Sequence, residues 1–202
     1  MQVSLTCGKR LAIQEVVKVP LDIVFCRRTA LKFAGSELST FYSSINSDET
    51  LVALMLMRER SLGKESRFAP FINILPTAVP VPFIFTDAEL SEFHDEGFVQ
   101  KARSTRARHD GDYKRLVETG KLKALLTAVD SAGVRPTESA VKIFGSKQSY
   151  LWAQSLVGSR TLTLSGKRFL VPFADFFNYS PTGHKRAARA GEHFLKHHRL
   201  DE

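Results

Sequence analysis

Arg160 and the run Asp175, Phe176, Phe177, Asn178 and Tyr179 are the residues whose types and order could do chemistry. A guanidinium takes a carboxylate through two parallel hydrogen bonds. An asparagine oxygen or a backbone carbonyl accepts from an ammonium, so the set suits a zwitterionic ligand. The same residues also fit a plainer role, in which Arg160 pairs with Asp175 and Asn178 holds a turn. A second grouping, His193 and His197, has the four-residue spacing that puts two imidazoles on one helix face. No third ligand accompanies them, so no metal is expected.

Bringing Arg160 to the 175–179 run requires a particular set of elements. Thr137 and Glu138 open a helix carrying Val141, Phe144, Tyr150, Leu151 and Trp152 towards Val157. Arg160 closes it. A hairpin follows, Thr161 to Leu164 against Phe169 to Val171, turning at Ser165, Gly166 and Lys167. The 175–179 loop lies just past the second strand, so sheet geometry returns it towards Arg160.

Upstream, Leu11 to Val19 reads as a strand that Pro20 ends, and Leu21 to Phe25 as a further β-prone stretch. Ser47 or Asp48 caps a helix with apolar Leu51, Leu54, Met55 and Leu62, stopped at Gly63. Ser66 to Leu75 predicts a short helix, and Pro76, Pro80 and Pro82 a stiff connector. Thr86 and Glu89 form a capping box. Phe98 to about Val129 has a polar helical pattern with Tyr113, Leu116, Leu122, Leu125 and Leu126 as core contacts, and Ser131 to Pro136 is a loop. The order is β, helical, β, which predicts an α+β fold with an inserted helical region.

The chain has 202 residues, 43% of them hydrophobic and 25% charged, enough for one domain with a proper core. This excludes a disordered acidic tail, a collagen-like rod and a disulfide miniprotein. Lys and Arg exceed Asp and Glu by a net charge of +8. The excess gathers in Lys101 to His109 and in Lys185 to Arg199. Such runs suit nucleic acid, anionic lipid or an acidic protein. No aromatic residue interleaves with the first run, so nucleic acid is not the expected partner. Cys7 and Cys26 are the only cysteines, which predicts free thiols and an intracellular setting, cytoplasm or nucleus. No apolar run reaches the roughly 18 residues of a membrane span, so no membrane association is expected.

Four motifs carry a resemblance. Trp152 to Pro181 reads W-A-Q-S-L-V-G-S-R, a hairpin, then L-V-P-F-A-D-F-F-N-Y-S-P. Gln14 to Phe25 contains V-P-L-D, Glu49 to Arg60 is a leucine-rich helix, and Ser66 to Pro76 reads S-R-F-A-P-F-I-N-I-L-P. Taken in their order along the chain they resemble the SET domain of the Rubisco large-subunit methyltransferase branch, which also includes the actin-histidine methyltransferase type. The resemblance covers roughly residues 10 to 181. It implies a partial SET domain over residues 1–181, with SET β-sheets divided by a helical insertion at about residues 87–150. Residues 182–202 would be a basic tail or the start of an incomplete SET strand.

The resemblance further implies a protein methyltransferase using S-adenosyl-L-methionine, with a lysine or histidine side chain of a protein as substrate. Carried over by position, Arg160 would pair with the cofactor carboxylate and Asn178 would hold its amino group. The backbone of Asn178 and Tyr179 would meet the adenine edge, and Asp175, Phe176 and Phe177 would shape the loop. The chain departs from the pattern in three places. Tyr179 stands where the family has histidine, and Gly8 alone stands where it has a G-x-G turn. The family's catalytic tyrosine, in a Y-G segment beyond the N-H-S loop, has no counterpart here, so no catalytic residue is assigned and the C-terminal part of the fold is expected to be missing. Two other readings follow from the same residues: a non-catalytic SET-derived protein-binding module, and a basic nucleic-acid-binding protein.

Overall fold

A computed structural model of the chain describes residues 2–9 and 12–174. Strands β1 (Gln2–Lys9) and β2 (Ala12–Pro20) form an antiparallel pair with a register shift between Leu5 and Thr6. Helices α1 (Arg27–Lys32) and α2 (Ser36–Ser43) follow, then the central α3 (Asp48–Leu62) and the one-turn α4 (Ala69–Ile72). The middle of the chain holds α5 (Asp87–Ser91), the long α6 (Glu96–Glu118), α7 (Lys121–Thr127) and α8 (Glu138–Phe144). Helix α9 (Lys147–Arg160) leads into the hairpin β3 (Leu162–Leu164) and β4 (Lys167–Phe169). Helix predominates among the described residues, and the strands make two two-stranded sheets. The expected β-sheets are thus smaller than the α+β reading required.

Helix α3 is the axis of the core. Every residue from Leu51 to Arg58 is buried, so it is covered on all sides, by α9 and α8 on one flank and by α1, α4 and α7 on others. Its start is fixed by Ser47, whose side chain accepts from the Thr50 amide at 3.2 Å. Its end is Gly63 at φ 56°, a left-handed turn that costs glycine little. The capping box at Thr86 and Glu89 is formed: the Glu89 carboxylate accepts from the Thr86 amide at 2.7 Å and the Thr86 hydroxyl accepts from the Glu89 amide.

The structure corrects several expected elements. Leu21 to Phe25 is not a strand. Leu21–Ile23 is a 3-10 turn, held by the Val24 amide and the Thr29 hydroxyl, which both donate to the Leu21 carbonyl at 3.0 Å. Only Phe25 pairs in β fashion, in a single bridge to Leu170. The 98–129 helix divides at Gly120, which adopts φ 69°. The helix expected from Thr137 to Val157 divides at Gly145, and Ser146 caps the second piece by accepting from the Ser149 amide. Helix α4 covers only part of Ser66 to Leu75.

Candidate cofactor site

Helix α9 delivers Arg160 from within the core. Trp152, Ala153, Leu156 and Val157 are buried, and the Trp152 indole donates to the Pro76 carbonyl at 2.8 Å. The Arg60 guanidinium lies over the Trp152 ring, 4.0 Å from its centroid. The helix ends where Thr161 turns extended: its amide and its hydroxyl both donate to the Val157 carbonyl. Arg160 is half-buried. It stands at the negative end of the helix dipole, a setting that favours a cation.

The hairpin that follows has a two-residue turn, not the three-residue turn expected. Ser165 and Gly166 both have positive φ, 48° and 75°, as the twist of a tight hairpin demands, and Lys167 pairs with Leu164. Arg168 donates to the Thr161 hydroxyl at 3.4 Å, tying the second strand to the helix end. Phe25 and Leu170 then exchange both backbone hydrogen bonds, at 2.9 and 3.0 Å. Val19, Leu21, Val24, Cys26, Val171 and Ala174 bury one another in a small cluster separate from the main core. Residues 19–26 and the approach to residue 175 are thereby packed together.

Phe173 was not singled out in the sequence. It has φ 68°, unusual for a residue with a bulky side chain, and is 54% exposed. Such outliers persist only where surrounding structure holds them, and they concentrate at functional loops. No local sequence signal marks it, because phenylalanine is among the last residues a left-handed position would suggest.

Of the six predicted site residues, Arg160 lies in the described part, at the base of the hairpin. Asp175, Phe176, Phe177, Asn178 and Tyr179 lie outside the described residues, as do His193 and His197. A half-buried guanidinium at a helix end is a donor chemically suited to a carboxylate. Among the described residues no group of three or more His, Cys, Asp or Glu could hold a metal. Among the same residues no helix is long and apolar enough to cross a membrane.

No family model matches the chain, and no curated protein matches it. Solved structures do. The SET domain of LSMT bound to methyllysine and AdoHcy is similar with a TM-score of 0.62 at 18% identity, over 89% of this chain and 40% of that one. The same domain bound to lysine and AdoHcy gives 0.63 at 17% identity, over 89% and 41%. Rubisco LSMT bound to AdoMet gives 0.62 at 17% identity, over 89% and 40%. The chain therefore spans about 40% of the length of these neighbours and has a partial SET-like fold.

Proposed function

We propose that this chain is a SET-type protein methyltransferase, or part of one, that binds S-adenosyl-L-methionine and methylates a lysine or histidine side chain of a protein inside the cell, in cytoplasm or nucleus. The observation that carries the reading is the placement of Arg160. It ends a buried helix, enters a hairpin bridged to Phe25, and precedes a strained turn at Phe173 that leads to residues 175–179. Neighbours of the same fold are described as bound to AdoMet or AdoHcy.

In this reading Arg160 holds the cofactor carboxylate, Asn178 its amino group, and the backbone of Asn178 and Tyr179 the adenine edge. Asp175, Phe176 and Phe177 shape the loop. The cofactor supplies a methyl group already activated on a sulfonium. The chain's own work is then to orient and to exclude water. A lysine substrate must lose its proton, and a narrow channel favours that by penalising the ammonium form.

Titration calorimetry with S-adenosyl-L-methionine tests the reading. Saturable binding is expected, weakened about tenfold or more in Arg160→Ala, as for loss of a charge-assisted hydrogen bond. Arg160→Lys keeps the charge but loses the fork and should fall between. Absence of binding heat at millimolar cofactor, with the protein folded by circular dichroism, would sink the proposal.

A further inference from the structure

A pocket of about 110 Å³ opens between α1, α2, α3 and the 130–134 loop. None of its lining residues lies beyond Val134, so it shares nothing with the Arg160 hairpin. Ala30, Leu38, Met55 and Phe68 make a buried apolar floor, and Phe33 stands at the rim.

Tyr42, Glu59 and Asp130 are among the oxygen-bearing side chains that line this space. Tyr42 is only 2% exposed, and its hydroxyl has no hydrogen-bond partner among the described residues. Glu59 accepts from the Ser66 hydroxyl on Oε2 at 2.7 Å, which leaves Oε1 unpartnered there. Asp130 accepts from the Ala132 and Val134 amides on Oδ1, both at 2.9 Å, which leaves Oδ2. Neither carboxylate is in an ion pair among the described residues. Arg67 also lines the pocket, but its guanidinium rests on the Phe33 ring, 3.2 Å from the centroid. Burial pushes the Glu59 carboxyl above the usual carboxylate range; the Ser66 hydrogen bond and the Arg58 and Arg67 charges oppose the push, and the Asp130 charge adds to it.

Glu59, Glu65 and Asp130 against Arg67 leave the lining acidic, so an anion is disfavoured. The described residues offer no group of three acidic, His or Cys ligands for a metal ion. What suits free oxygens over an apolar and aromatic floor is a cation with N–H donors and a hydrocarbon stem. An alkylammonium has three such donors and no acceptor. It is also attracted to aromatic faces.

We propose that this pocket binds a primary alkylammonium group, carried by a small amine or by a lysine side chain, at a second site distinct from that at Arg160. The full chain would be titrated with propylammonium chloride and with Nα-acetyl-lysine methylamide, by calorimetry and by shifts in protein NMR. Sodium propionate and tetramethylammonium chloride serve as controls. Saturable binding of either amine, not matched by either control, is expected. Binding of the free amine alone, of the lysine derivative alone or of both supports the site and tells which source it admits. Tyr42→Phe removes only a hydroxyl without a partner, so it should fold and bind about tenfold more weakly. Glu59→Gln should weaken binding further. The proposal is overturned if neither amine binds, if tetramethylammonium binds as well as propylammonium, or if Tyr42→Phe and Glu59→Gln both bind like the parent. No cofactor enters the titration, so its outcome is separate from that of the Arg160 test.

Discussion

Arg58 is a cation buried to 0% exposure on the central helix, and its partners are backbone carbonyls. Nη1 donates to the Leu125 carbonyl at 2.8 Å and Nη2 to the Val134 carbonyl at 3.3 Å, while Nε has no partner among the described residues. Leu125 lies in the last turn of α7, where carbonyls lack partners in their own helix and the dipole is negative. One side chain thus caps a helix and anchors the 130–134 loop. Replacing it by methionine should orphan both carbonyls and cost about 3 kcal/mol, measured by urea denaturation. A loss under ~1 kcal/mol would mean that water replaces the guanidinium. At Ser165 the opposite sign is expected. Asparagine tolerates a left-handed position better than serine, so Ser165→Asn should raise stability by about 0.5 kcal/mol, read as a small rise in melting temperature.

At the scale of elements, α6 changes the meaning of its own charge. Arg103 and Arg106 meet Asp87, Arg108 meets Glu49, Lys114 meets Glu118, Arg115 meets Asp112, and Lys147 of α9 meets Asp110. Arg106 also donates to the Phe83 and Phe85 carbonyls. Each exposed pair adds little stability, but together they leave few cations of this run to neutralise phosphates. Replacing Arg103 and Arg108 by glutamine should therefore leave the salt concentration at which the chain leaves a heparin column nearly unchanged. A large drop in that concentration would restore the nucleic-acid reading for this run.

Elements also explain which parts of the sequence were legible. Three helix starts were readable from their capping side chains: Ser47, Thr86 and Thr137 each accept from an amide three residues on. Helices α1 and α2 are preceded by Cys26 and Gly35, and neither offers a side-chain acceptor to the first backbone amides of its helix. Without that signal the sequence marks no start for either helix. At Gly35 the reason for the residue is tertiary: a Cβ there would come within 2.5 Å of the Val129 carbonyl oxygen. The Arg160 hairpin was legible because its parts are contiguous. The Tyr42 pocket was not, because its walls come from segments between Thr29 and Val134 that no local spacing connects.

For the molecule as a whole, the contact between α6 and α9 sets a dependence on pH. His109 is 2% exposed, its ring 4.7 Å from that of Phe83, and its Nδ1 has no partner among the described residues. Burial holds its pKa below the ordinary 6.5; Arg108 adds to this, and Glu49, Asp112 and Asp110 oppose it. The unfolded chain therefore takes up the proton first on acidification. The stability contributed by the neutral ring is fully present above about pH 6.5 and is lost as pH falls through the folded-state pKa. Melting temperature should drop between pH 7.5 and 5.5, and His109→Gln should flatten that part of the curve. An equal slope in both proteins would place the sensitivity elsewhere. Nearby, Tyr150 accepts from the Gln154 amide at 2.8 Å, and burial pushes its phenol up to about 12, so it stays neutral throughout.

The bridge between Phe25 and Leu170 joins residues separated by nearly the whole described length. Contacts of such long sequence separation form late, because a large loop must close before they bring any gain. During synthesis Val19, Leu21, Val24 and Cys26 lack their Val171 and Ala174 contacts until the hairpin leaves the ribosome. The helices between them can pack earlier on local contacts. The corner where Leu170 and Val171 meet residues 19–26 is thus expected to be the last described part of the chain to order, and the first to open when it unfolds.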